Sequence, residues 1–131
     1  MAIAMNAFET YKKQGVMTAS PIELVIMLYD GGLRQIHAAK TAILGKDYAV
    51  ANTALLKAQD IVTELASSLD MDFPVSNQLM QLYDFVLFKL REVNSNKEAE
   101  GLDEAADILS ELREAWMKVK STTRIPCVLE G

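Results

Sequence analysis

The chain has 131 residues, half of them apolar and 24% charged, with a net charge of −5 and a pI near 4.8. That length suits one domain with a continuous core. The acidic balance argues against a general nucleic-acid binder, which would carry a basic face for phosphates. The longest apolar run, "LVIMLY" at 24–29, falls far short of the ~20 residues that cross a bilayer, so no membrane insertion is expected.

Residues 1–19, "MAIAMNAFETYKKQGVMTA", lack the basic lead, long apolar stretch and cleavage site of a secretory leader, and a cytoplasmic location is the default expectation. The apolar residues of this head (Ile3, Met5, Phe8, Val16, Met17) are sparse for a helix yet too many for a purely solvated tail. "SPIE" at 20–23 is a helix start, with Ser20 as cap, Pro21 in the first turn and Glu23 able to close a capping box. The first helix is expected to run to about Leu44 and stop at Gly45. Its inner face reads Val25, Leu28, Tyr29, Gly32, Ile36, Ala39 and Ile43.

Asp47 can cap a second helix reaching about Leu69, in which Ala51, Leu55, Ala58, Val62, Leu65 and Leu69 alternate by four and three, the rhythm of a packed seam. "DMDFP" at 70–74 breaks that pattern, because Pro74 disfavours helical geometry at Phe73. A third helix over about 75–95 repeats the rhythm with Leu79, Tyr83, Val86, Leu90 and Val93, and "NSNKE" turns the chain. A fourth, about 98–120, carries Leu102, Ala105, Ile108 or Leu109, Leu112, Trp116 and Val119, and Gly101 is expected to weaken its first turn. Residues 121–131, with Pro126 and no periodicity, are expected to form a flexible tail.

Short connections between long helices force neighbours to run antiparallel. The expected fold is all-α: an up-down-up-down four-helix bundle over 20–120, with 1–19 as an apolar N-terminal segment and 121–131 as the tail. Catalysis has little support. Cys127 and His37 are each the sole residue of their type, which excludes a cysteine cluster and a multi-histidine zinc site. Phosphate-loop, nucleophile-elbow and calcium-loop patterns are missing. No cofactor, metal or enzymatic activity is expected.

The apolar residues exceed what one core can hide. On a wheel of ~100° per residue, Leu79, Met80, Leu82, Tyr83, Val86, Leu87, Leu90 and Val93 of the third helix share a sector of roughly 160°. Phe85 and Phe88 fall outside it, among Asp84, Arg91 and Glu92. Leu24 and Met27 likewise leave the inner face of the first helix. A lone exposed apolar residue needs no explanation, but several on one small domain mark an interaction surface.

"VMTASPIELVIMLYDGGL", "KAQDIVTELASSLDMD", "LYDFVLFKLREVN" and "LSELREAW" resemble, in order and spacing, the flagellin secretion chaperones of the FliS family. The likeness spans about Tyr11 to Val119. It implies a cytoplasmic helical bundle that binds the disordered C-terminal segment of flagellin, prevents premature polymerisation and delivers it to the flagellar export gate. Such recognition is helix-in-groove binding coupled to folding. In the family the N-terminal segment acts as a lid and contacts the export-gate protein through an apolar residue and a tyrosine three positions on, which match Phe8 and Tyr11. Leu24 and Met27 are then the surface under the lid. The expected client contacts are outward apolar positions of the second and third helices: Ala54, Ile61, Leu82, Phe85 and Phe88. Leu82 stays open between client contact and core. Other flagellar regulators are possible further partners.

Two other classes compete. "HAAK" (His37 to Lys40) resembles the histidine–lysine pair of histidine phosphotransfer domains, with Thr41 where those place a glycine. A client-free helical dimerisation module is the second alternative.

Overall fold

The computed structural model describes the backbone of residues 21–130 and side chains over 22–121. Four helices form: α1 (Pro21–Leu44), α2 (Tyr48–Ser67), α3 (Pro74–Asn96) and α4 (Glu100–Glu130). Ser20, Phe8 and Tyr11, and with them the expected cap and lid, lie outside the described residues. Each helix packs on its neighbours in the chain, and α4 closes the ring on α1. The α1–α4 pairs Tyr29–Trp116, Asp30–Arg113 and Lys40–Asp103 rise along one helix as they fall along the other, so the two run antiparallel. Four helices closed in this way are consistent with the expected up-down-up-down bundle.

The ends follow local chemistry, with one exchange of roles. Asp47 Oδ1 accepts from Val50 N at 3.3 Å and caps α2. At the end of α1, Asp47 N bonds to Ala42 O (2.8 Å) and Lys46 N to Ile43 O (3.0 Å), the paired bonds of a Schellman motif. The left-handed residue of that motif is Lys46, at φ 60°, one position beyond the expected Gly45. Phe73 is extended (φ −95°, ψ 133°) before Pro74, which opens α3. Gly101, expected to weaken α4, has a packing reason. A Cβ there would lie 3.0 Å from Val93 Cγ2, so glycine lets α4 start hard against α3. The fourth helix continues to Glu130, past the end expected near 120. No glycine or proline lies between Leu102 and Ile125, so the helix passes the end expected near 120 without a breaker, and it takes in Pro126 further on.

The core confirms the seams. Leu28, Tyr29, Ile36, Ala39 and Ile43 of α1 are buried with Ala51, Leu55, Ala58, Val62 and Leu65 of α2. Tyr83, Val86, Leu90 and Val93 of α3 and Leu102, Ala105 and Leu109 of α4 complete the cluster. Leu109 rather than Ile108 takes the innermost place, and Val119 is exposed.

Inside this apolar core sits one polar chain. The hydroxyls of Tyr29 and Tyr83, both buried, hydrogen-bond to each other. Trp116 Nε1 donates to Tyr29 Oη at 3.2 Å. Three helices are thus joined at the Tyr29 oxygen. Burial pushes both phenols above the usual tyrosine value, so they stay neutral and available for hydrogen bonding. Next along the chain, Asp30 accepts from Arg113 Nε of α4. Gly31 and Gly32 then let Ile61 of α2 come close, at 3.4 and 3.6 Å from their notional Cβ positions.

Removing the Tyr29 hydroxyl leaves Tyr83 and Trp116 both without that partner, whereas removing the Tyr83 hydroxyl leaves the Trp116 bond intact. Denaturant unfolding is expected to show Tyr29→Phe destabilised by about 1–3 kcal/mol and Tyr83→Phe by clearly less.

Candidate functional site

Apart from Leu44, Tyr48 and Val50 at the α1–α2 turn and the separate Leu56 and Val119, the large apolar residues left exposed gather in two places. The first is the α4-facing flank of α3. Leu82 and Phe85 are 37% and 38% exposed, and Phe88 is 56% exposed. Phe85 is therefore not fully wet, as its wheel position suggested. Lys89 lies over its ring, with Nζ 5.5 Å from the centroid, and also faces Glu92 at 3.7 Å. Leu82 resolves away from the core: the wheel placed it in the inner sector, but the bundle turns it to the rim. Counting along the antiparallel helices from the Gly101–Val93 contact sets Phe85 level with Leu109 and Leu82 level with Leu112. Leu109 is buried and Leu112 half-buried against the core. The flank thus presents a shallow apolar strip along α3.

The two candidate residues on α2 do not join that strip. Ala54 is buried at 4% exposure, a core member and not an outward position. It lies in the floor of an open groove of about 340 Å³ between α1 and α2, bordered by Gln35, Ala38, Val50 and Lys57. Ile61 is half-buried because Gly31 and Gly32 lack side chains that would hold it off. A seam rhythm shows which residues face inward, but it cannot show how closely a glycine-bearing neighbour will approach. One turn on, Glu64 is buried, and its Oε2 has no hydrogen-bond partner.

Leu24 is buried and Met27 half-buried, so the start of α1 is more covered than its wheel position implied. Of the alternative pair, His37 is exposed, and Lys40 Nζ reaches Asp103 Oδ1 at 2.9 Å, which gives the lysine a role in fastening α1 to α4.

The second gathering was missed from sequence. At the α2–α3 end, a cavity of about 260 Å³ opens between Val25, Leu65, Leu69, Phe73, Leu79 and Trp116. Met71, Phe73 and Val75, all about half exposed, stand at this turn. The available signal was "DMDFPV" itself: three large apolar residues in a segment that Pro74 and two aspartates mark as a turn. Within the described residues, no group of acidic, histidine or cysteine side chains could hold a metal. Nor is any helix there long and apolar enough to cross a membrane.

A family model described as "Flagellar protein FliS" matches residues 4–123. The chain belongs to the FliS family. Among relatives, the flagellar secretion chaperone FliS of Bacillus subtilis is 33% identical over 95% of this chain and 92% of its own length. The FliS chaperones of Vibrio cholerae and Salmonella typhimurium are each 30% identical, over 87% and 82% of this chain and 88% and 82% of theirs. A crystal structure of a flagellar chaperone from bacteria superposes with a TM-score of 0.74 over 90% of this chain and 98% of that one, at 20% identity, and shows the shared fold. FliS proteins are chaperones rather than enzymes, as expected for this chain.

The exposures make a graded stability test of the α3 flank. Phe88→Ala is expected to stay within about 0.5 kcal/mol of the parent, while Leu87→Ala, at a buried position, costs about 2–5 kcal/mol. Phe85→Ala falls between them. Urea midpoints measured side by side check the order.

Proposed function

We propose that this FliS-family chain is a cytoplasmic flagellar export chaperone that holds the disordered C-terminal segment of flagellin. Its bundle is the platform on which that segment coils into helix. The observation that carries the reading is the apolar strip of Leu82, Phe85 and Phe88 outside a core that is already closed, in a chain matching the family over residues 4–123. Burying a phenylalanine is worth about 1.5–3 kcal/mol. A client helix laid along α3 would therefore gain from contacts the free bundle leaves unmade. Part of that gain offsets the cost of ordering the client, which keeps the complex reversible. Covering the segment prevents it from polymerising early, and release at the export gate completes delivery.

Phe8 and Tyr11, at the family's gate-contact positions, are proposed to meet the export-gate protein. The head, 1–19, is proposed as a lid over the start of α1, a reading supported by its apolar residues Ile3, Met5 and Phe8 and by the resemblance to the family. On this account 20–120 is the binding body and the residues beyond it take no part in holding the client.

Titration of the full chain with a flagellin C-terminal peptide, followed by circular dichroism, is expected to show more helix than the sum of the components. Phe85→Asp should weaken that binding at least tenfold, a loss typical of a central contact. An unchanged affinity would remove the α3 flank from the site.

Deleting residues 1–17 should leave the bundle folded and raise ANS fluorescence as the start of α1 is bared. Equal dye binding by the two proteins counts against the lid.

A further inference from the structure

We propose that the groove between α1 and α2 is a second docking surface, separate from the α3 flank, and that it takes an acidic amphipathic helix from a protein partner other than the client. Neither its shape nor its charge depends on flagellin binding.

The shape comes from small residues. Ala38 of α1 and Ala49 and Ala54 of α2 line the groove, which holds about 340 Å³, together with Gln35 and Thr53. The distance between packed helices is set by the side chains at the contact, so alanines on both walls let a third helix come close. From Ala49 to Lys57 is about 12 Å, a little over two turns of an incoming helix. Val50 lines the same groove and is half exposed, and Leu44 and Tyr48 stand exposed at the turn beside it. These side chains give an amphipathic helix an apolar face to cover.

Charge selects the partner. Residues 31–59 contain four cations, Arg34, Lys40, Lys46 and Lys57, and one carboxylate, Asp47, in a chain whose net charge is −5. Lys40 is spent on Asp103, and Asp47 on capping α2. Among the described residues, Arg34, Lys46 and Lys57 have no ion-pair partner.

The three free cations follow the groove. Lys57 lines it. The Arg34 guanidinium lies 3.8 Å from the notional Cβ of Gly31, a point that Ile61 also approaches, so it stands on the α2 side of α1. Lys46 sits in the turn at the other end. The next carboxylates along α2, Asp60 and Glu64, lie past Lys57 and outside the groove lining. Small and apolar walls between unpaired cations fit an apolar helix face flanked by aspartates or glutamates, each of which gains a partner at the rim. Nucleic acid would meet the same three cations, but the acidic remainder of the chain repels it. The apolar strip is on the α4-facing flank of α3, so both surfaces can be filled at once.

The probe is a fluorescein-labelled helical peptide of roughly four turns, with alanine and leucine on one face and glutamates beside it. A counterpart carries lysines at the glutamate positions. Anisotropy of each is followed as full-length protein is added. The glutamate peptide is expected to bind saturably and to lose at least tenfold in affinity as salt rises from about 50 to about 500 mM, while the lysine peptide does not saturate. Lys57→Glu, at an exposed position, is expected to weaken binding at least tenfold with an unchanged melting temperature. Ala49→Trp, also at an exposed position, should do the same by filling the groove with no change of charge.

Equal binding of the two peptides, or parental affinity in both variants, overturns the docking site. Displacement of the glutamate peptide by saturating flagellin C-terminal peptide overturns it too, because the groove would then be part of the client surface.

Discussion

The bundle depends on a hydrogen bond made where none would be affordable without its partners: the buried hydroxyl of Tyr29. A polar group placed at the meeting of three helices costs free energy unless it is satisfied there. Tyr83 from α3 and Trp116 from α4 satisfy it only when all three helices are in one register. The rest of "LYDGG" acts at the same level of the bundle. Asp30 pairs with Arg113, and Gly31 and Gly32 draw α2 in until Ile61 lies against α1. This block is therefore spent on geometry. Its residues hold the platform and do not themselves form the apolar strip.

That division explains how the protein tolerates so much exposed apolar surface. A core closed by buried leucines, valines and small residues, and pinned by one polar junction, does not need Leu82, Phe85 or Phe88 for its stability. Phe85 remains only partly wet, because Lys89 lies across its ring. Such partial cover limits aggregation between copies while leaving area for an incoming helix. Tyr83 and Trp116 of the Tyr29 junction also line the end cavity, so the feature that fixes the fold also shapes that pocket.

The acidic, histidine-poor composition agrees with this mechanical role. Some charges fasten neighbouring helices, as Lys40 does to Asp103 and Arg113 to Asp30. The histidine–lysine pair that resembles a phosphotransfer motif is divided by the fold: Lys40 turns to α4 and His37 faces solvent. Spacing along a helix puts two residues near one face, but the neighbouring helix decides what each one does.

Helix number, order and most of the core were legible in the sequence because the four-three rhythm is a local property of each segment. Pro74 and Asp47 marked boundaries for reasons internal to a few residues. Which residues lie at the edge of a buried sector was not legible. Leu82 moved outward, and Ala54 and Ile61 moved inward, because edge positions are settled by how closely the next helix packs. The glycines at 31, 32 and 101 set that approach. The α2–α3 cavity was hidden for the same reason, since it forms only where a turn, the start of α1 and a tryptophan forty residues further on converge. Periodicity along one chain determined the elements; distances between elements, which no single helix contains, decided the surface.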